Sequence, residues 1–216
     1  MEQALTLYKS YFDSKEKTGV IGDYCSIKSG YAFKSSWWQD SGTKVIKIGS
    51  INQDFLNLND CSFVAKDKEK FAKDFEVKGG DLVIAMTGAT IAKFTMIPAI
   101  SEPLLVNQRV GKFFLGDKPI KRLPFIYCTL KQNEIHKEII NRGQGSAQPN
   151  VSATDIMTIP CYIPSESEQN EFNEITSPLF GLIIYNQSMN IKLSNLRDTL
   201  LPKLMSGELD VSEIDI

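Results

Sequence analysis

Between residues 172 and 200, apolar side chains recur at alternating intervals of three and four. They are Phe172, Ile175, Leu179, Leu182, Met189, Leu193, Leu196 and Leu200, with Asn186 at the one polar step. That is the a/d repeat of a coiled coil sustained over about four heptads. The stripe is narrower than the face by which a lone amphipathic helix packs on a core. The spacing therefore predicts a rod lying along another helix, with the rest of the chain mounted on it. Ser165 followed by Glu168 forms a capping box just after Pro164. Pro178 predicts a kink, or a restart with Ser177 as N-cap. Gly207 suits the C-terminal stop, beyond Pro202. Over 166–201 the rod is about 54 Å long. Asn186 either fixes register by bonding a polar partner across the seam or sits at the edge of a drifting stripe.

Upstream the periodicity changes. Residues 2–12 read as a short amphipathic helix offering Leu5, Tyr8, Tyr11 and Phe12 to one side. From 19 to 120, short apolar runs alternate with Gly, Asp, Asn and Ser, and the best strands are 45–48, 81–86, 91–97 and 109–115. Residues 66–75 suit a helical turn or two. One helix is predicted over 123–141, opening on Pro124 at a tolerated first-turn position and stopping at Gly143. A polar loop at 142–152 and a strand over 157–163 complete the order.

Composition narrows the class. At 216 residues, one globular domain plus an extension fits better than two full domains, and 42% hydrophobic content supports a core. The first twelve residues lack a sustained apolar signal core, and no run of 18 apolar residues occurs. Cys25, Cys61, Cys128 and Cys161 are scattered without a CxxC pair, which predicts buried thiols in a reduced, cytoplasmic protein. The net charge of −2 conceals an asymmetry: residues 14–150 carry 20 basic against 14 acidic side chains, the remainder 4 against 12. A polyanion is thus expected on the globular part, unless the lysine-rich stretch 66–73 is only a solvated surface.

Chemistry is sparse. The single histidine, His136, is expected exposed among Glu134, Lys137 and Glu138. Gly79-Gly80-Asp81 precedes a strand instead of following one, and no phosphate-binding P-loop occurs. Thr87-Gly88-Ala89-Thr90 is a tight turn between strands. The acidic pairs Glu166/Glu168 and Glu171/Glu174 lie on the rod as solvation or charge patterning. Nothing resembles an enzyme active site, and no metal site or cofactor is expected on this chain.

The segment 196–209, LRDTLLPKLMSGEL, resembles the distal conserved region of specificity subunits of type I restriction–modification systems, where it also follows an a/d helix. The upstream order agrees: Ser29 to Lys34 (SGYAFK), Gly80-Asp81-Leu82 with Thr87 to Thr90 (TGAT), Asn107-Gln108, Gly145 to Ser152 (GSAQPNVS), Ile163-Pro164 and Glu168-Gln169. The resemblance implies fold class α+β: a mixed α/β target-recognition domain over 14–164, followed by a long C-terminal coiled-coil spacer helix over 165–207. A helix at 1–13 and an acidic tail at 208–216 flank them. Such subunits usually hold two domains and two helices, so this chain is expected to be a half-sized subunit or the C-terminal half of a longer one. The resemblance implies a non-catalytic DNA-recognition role for one half of a bipartite site. Its partners are double-stranded DNA, methyltransferase subunits and a restriction subunit, which would carry S-adenosylmethionine and ATP. Antiparallel self-pairing as a homodimer, or pairing with another half-subunit, would restore two domains.

Reading bases calls for fork or amide geometry, and holding phosphates calls for hydroxyls and cations. Three stretches supply these. The first is Arg142, Gln144, Ser146, Gln148 and Asn150. The second is Tyr31, Lys34, Ser35, Ser36 and Trp37; the third is Thr87, Thr90, Lys93 and Arg109, with Lys44 and Lys47 as flankers. Each has a plainer reading: Gly143 and Gly145 end a helix, Pro149-Asn150 starts a turn, and Trp37 and Trp38 cap the core. Arg142→Ala is expected to weaken recognition without affecting folding. A competing function is a coiled-coil adaptor whose globular part binds protein, in keeping with the acidic total.

Overall fold

The computed structural model describes residues 1–144 and 149–209. Two sheets stack inside it, and each is recognisable from its alternation. In Leu82–Ala85, Leu82 and Ile84 face a core shared with helices, while Val83 and Ala85 face the second sheet. In Leu104–Val106 the outer two residues face the first sheet and Leu105 faces a third cluster beyond it. A strand buried on both faces reads as a continuous apolar run, which is why Leu82–Ala85 stands out in the sequence.

The first sheet has the order Phe94–Met96, Leu82–Ala85, Val110–Phe114, Ser26–Ser29, all antiparallel. The second runs Trp38–Gln39, Ser62–Val64, Thr43–Ile46, Leu104–Val106, Glu76–Val77, with Thr43–Ile46 parallel to Leu104–Val106 and the other pairs antiparallel. Two small ribbons join Gly19–Val20 to Pro160–Cys161 and Ile51–Asn52 to Phe55–Leu56.

Among the described residues there are six α-helices: α1 (Glu2–Phe12), α2 (Ile21–Tyr24), α3 (Leu123–Leu130), α4 (Asn133–Arg142), α5 (Ala153–Met157) and α6 (Glu166–Met205). α1 buries Ala4, Tyr8 and Phe12 in the same core as α3 and α6. Phe12 lies 5.4 Å from Phe125 and 5.2 Å from Phe172, ring to ring and near-perpendicular. All four cysteines are buried free thiols.

Ser26–Ser29, Ser62–Val64 and Leu104–Val106 are strands outside the expected set, and the strand expected over 45–48 lies at Thr43–Ile46; three other elements also differ from expectation. The helix predicted over 123–141 is two helices, broken at Lys131–Gln132, where Gln132 adopts an extended backbone with ψ 133°. The strand predicted over 157–163 is reduced to Pro160–Cys161, because Ser152 and Asp155 cap α5 through Met157. α6 runs unbroken through Pro178, so Ser177 is not an N-cap; its hydroxyl donates to the Ile120 carbonyl at 3.1 Å. Pro178 and Glu174 both lie on the exposed side, where water can serve the carbonyl that loses its amide donor.

The face α6 turns to its own domain also differs. Phe172, Asn173, Thr176, Phe180, Ile184 and Ser188 are buried, largely at intervals of four. Phe172 is thus a core residue and not a seam residue, and Leu179 packs partly against the same core. The remaining stripe lies about 100–160° round the helix. There Ile175, Leu182, Leu193 and Leu196 are 48, 57, 56 and 53% exposed, and Asn186 is exposed beside them. Every residue from 192 to 199 is exposed, so the distal rod stands clear of the domain. At its end Gly207 takes φ +74° and donates to the Leu204 carbonyl at 3.2 Å, which stops the helix as expected.

Candidate nucleic-acid interface

Four loops are sewn into one row where the strands of the first sheet end. Tyr31 N–H donates to the Val106 carbonyl at 2.8 Å, and Gln108 N–H returns a bond to the Tyr31 carbonyl at 3.0 Å. Met86 N–H donates to the Arg109 carbonyl at 3.0 Å, and Val151 N–H to the Met86 carbonyl at 2.9 Å. Gly88 N–H reaches the Pro149 carbonyl at 2.9 Å, and Asn150 N–H the Gly143 carbonyl at 3.0 Å. Isolated bridges pair Tyr31 with Asn107 and Thr87 with Asn150. Gly30 is required here: a Cβ would lie 2.3 Å from the Val106 carbonyl oxygen.

The row places Tyr31, Gln108, Arg109, Thr87 and Asn150 side by side, although they come from four distant stretches of sequence. Gln108, Arg109 and Asn150 are exposed, and Tyr31 is half-buried. Amide and guanidinium groups of this kind can read base edges. Asn107 Oδ1 accepts weakly from the Arg109 amide at 3.4 Å and shapes the turn that presents Arg109. Gln108 was missing from the predicted set, although its Asn107-Gln108 motif was visible. Thr87 is buried, its hydroxyl without a hydrogen-bond partner among the described residues, and Thr90 bonds back to the Thr87 carbonyl at 3.3 Å. Lys93, half-buried, continues this turn.

Arg142 is committed elsewhere. Its Nε donates to Glu138 at 2.9 Å, and its Nη1 to the Asp155 carbonyl and Thr158 Oγ1, both at 2.6 Å. Nη2 makes a longer contact, 3.4 Å, with the Thr158 carbonyl. The guanidinium is therefore a clasp between α4 and α5, and base contact would require breaking it. Gln144 is exposed at the start of the following loop. Ser146 and Gln148 lie outside the described residues.

Lys34, Ser35 and Ser36 are exposed on a 3-10 turn beside the row. Trp37 stacks on Tyr31 with centroids 6.1 Å apart and planes 8° from parallel, and lies 5.2 Å from Phe71. Lys34 and Lys68 set their ammonium groups 5.6 and 5.5 Å from the Trp37 ring. Trp37 and Trp38 also cap the core around Phe33, Val45 and Leu105. Lys47 covers Trp38 at 3.6 Å, and burial lowers its pKa. Lys44 points away into a groove beside α6 and ion-pairs with Glu102 at 2.7 Å. His136 is half-buried, not exposed, and burial lowers its pKa.

A two-sheet domain on a long helix with an outward apolar stripe defines a globular domain mounted on a rod. The chain belongs to the type I restriction modification DNA specificity domain family, whose model matches residues 14–195. Among relatives, the type I restriction enzyme MjaIX specificity subunit of Methanocaldococcus jannaschii is 39% identical over 208 residues, covering 90% of this chain and 44% of that protein. The MjaVIII specificity subunit of the same organism is 24% identical over 198 residues, covering 90% and 46%. A crystal structure of a type I restriction–modification S subunit from M. genitalium superposes with TM-score 0.54 at 19% identity, covering 94% of this chain and 54% of that one. The chain spans less than half the length of the two sequence relatives.

Proposed function

We propose that this chain reads one half of a bipartite DNA target for a type I restriction–modification complex in the cytoplasm, and that its exposed stripe takes a second helix. The exposed Gln108, Arg109 and Asn150, with half-buried Tyr31 beside them, read the half-site on a row braced by Thr87, with Lys34, Ser35 and Ser36 on phosphates. The distal rod pairs antiparallel with a second copy and docks methyltransferase subunits, which carry S-adenosylmethionine; an ATP-using restriction subunit joins them. The chain itself supplies recognition and no bond-making step.

The observation carrying this reading is the stripe itself. Half-exposed Ile175, Leu182, Leu193 and Leu196 keep a heptad spacing along a helix whose other side is already buried in its own domain. Such a seam is completed by another helix. Light scattering over a concentration series tests it: a stable mass of twice the 24.2 kDa chain is expected. Selection from a random duplex library should then return a split palindrome, because a two-fold dimer presents two identical readers. A persistent monomer, or a selection with no enriched sequence, would refute the reading. Binding that ignores added salt would favour the protein-binding adaptor, since phosphate contacts release counterions.

A further inference from the structure

The turn between Ile51–Asn52 and Phe55–Leu56 carries Asp54 at φ +72°, a left-handed conformation uncommon outside glycine. Three elements converge on it. The Tyr127 hydroxyl of α3 donates to its carboxylate, and Lys131 Nζ lies 2.5 and 2.6 Å from the two carboxylate oxygens. The Asp54 carbonyl accepts from Gln187 Nε2 of α6 at 2.8 Å. Asp54 N–H reaches the Phe94 carbonyl of the first sheet at 3.3 Å.

Its place along α6 gives this turn leverage. Ser188 is the last buried residue of the helix, and from Lys192 the rod is exposed. Gln187 is therefore among the last polar attachments before the rod leaves the domain, and a small rotation there is magnified along the free length. The remaining 14 residues, 192–205, extend about 21 Å at roughly 1.5 Å per residue. On the other side, Phe94 pairs with Ile84, two residues before Met86 in the reading row, so one turn bonds both the rod and the sheet that presents the readers.

We propose that the Asp54 turn fixes the angle at which the rod leaves the recognition domain, and is thereby a specificity determinant for the spacing between half-sites, not for their sequence. This rests on the paired reading above. Asp54 and Gln187 are positioning residues. They act through the direction of the rod, and loosening them widens the range of spacings that two domains on one rod can span.

The test uses the full chain, wild type against Gln187→Ala and Asp54→Asn; asparagine tolerates the left-handed backbone while losing the charge. Duplexes with two randomised half-sites and graded spacers are selected by each protein. Wild type is expected to prefer one spacer, and the variants to lose that preference over its neighbours by about fivefold, the scale of one hydrogen bond, while enriching the same half-site. In the same chains, spin labels at Asn59→Cys and Asp198→Cys, diluted with unlabelled protein, should give a narrow distance distribution that broadens in the variants. Unchanged spacer preference with an unchanged narrow distribution overturns the proposal. A wild type that enriches half-sites with no spacer preference removes the paired reading and the spacing role with it, and the label distances alone then decide whether the turn is a clamp.

Discussion

Arg142 Nη1 donates to Thr158 Oγ1 at 2.6 Å and ties the end of α4 to the end of α5 across the loop that closes the reading row. With its contacts to Glu138 and the Asp155 carbonyl, this bond makes Arg142 a support for the loop. Arg142→Ala is expected to destabilise the domain by about 1 kcal/mol, the net worth of a clasp whose oxygen partners water can still reach. Arg142→Lys should recover little, since an ammonium cannot reproduce the planar fork. Urea unfolding reads both; wild-type stability in the alanine variant would return Arg142 to the set of base readers.

The two faces of α6 predict opposite phenotypes. Phe180 is fully buried and meets Tyr127 edge-on at 5.3 Å, so Phe180→Ala should cost about 3–5 kcal/mol through a core cavity. Leu193 is 56% exposed and lies where the rod is free, so Leu193→Asp should change the monomer's stability by no more than about 0.5 kcal/mol. It should nevertheless abolish pairing in light scattering. A Leu193→Asp chain that keeps its paired mass would place the seam elsewhere.

Readers and phosphate contacts should separate in a salt titration. Arg109→Ala is expected to lose about 1–3 kcal/mol of discrimination at one base position. Lys34→Ala should weaken all duplexes alike and lower the slope of log affinity against log salt by about 1. The idea fails for Arg109 if its alanine variant selects the wild-type sequence with undiminished preference.

The N-terminus of α6 carries a pH dependence of definite sign. Bonds from Ser165 and from the Tyr162 hydroxyl hold the Glu168 carboxyl well down, at about 2 against an ordinary 4.5. A depressed folded-state pKa stabilises the capped helix above the unfolded value, and that contribution is lost as pH falls from about 4.5 towards 2. Amide exchange at 166–169, taken relative to the intrinsic rate at each pH, should rise through that window. Glu168→Gln should remove the pH dependence, and the same rise in that variant would assign it to another group.

The heptad stripe, the capping box and several of the strands were legible in the sequence because each is a local pattern: heptad spacing, Ser165 with Glu168, and short apolar runs. The break at Lys131–Gln132 was not, since that stretch holds neither glycine nor proline. It accompanies the Lys131 contact with Asp54, 77 residues away in sequence. The reading row was half legible. Tyr31, Thr87, Arg109 and Asn150 were named separately from their side-chain chemistry, but hydrogen bonds between loops made them neighbours. Arg142 was named among the base readers without its clasp to α5, because a guanidinium looks the same in sequence whether its donors face solvent or Thr158.

What the sequence by itself determined, then, is the short apolar runs that build the buried strands and the heptad stripe along the rod, since both depend on the order of residues along the chain. The tertiary structure decided which side of the rod is spent on the domain and which remains open. Thr176, Phe180, Ile184 and Ser188 form an inner stripe only because α3 and the Pro119–Lys121 turn pack against that side of the helix, and packing partners so distant in sequence leave no periodic trace in the chain.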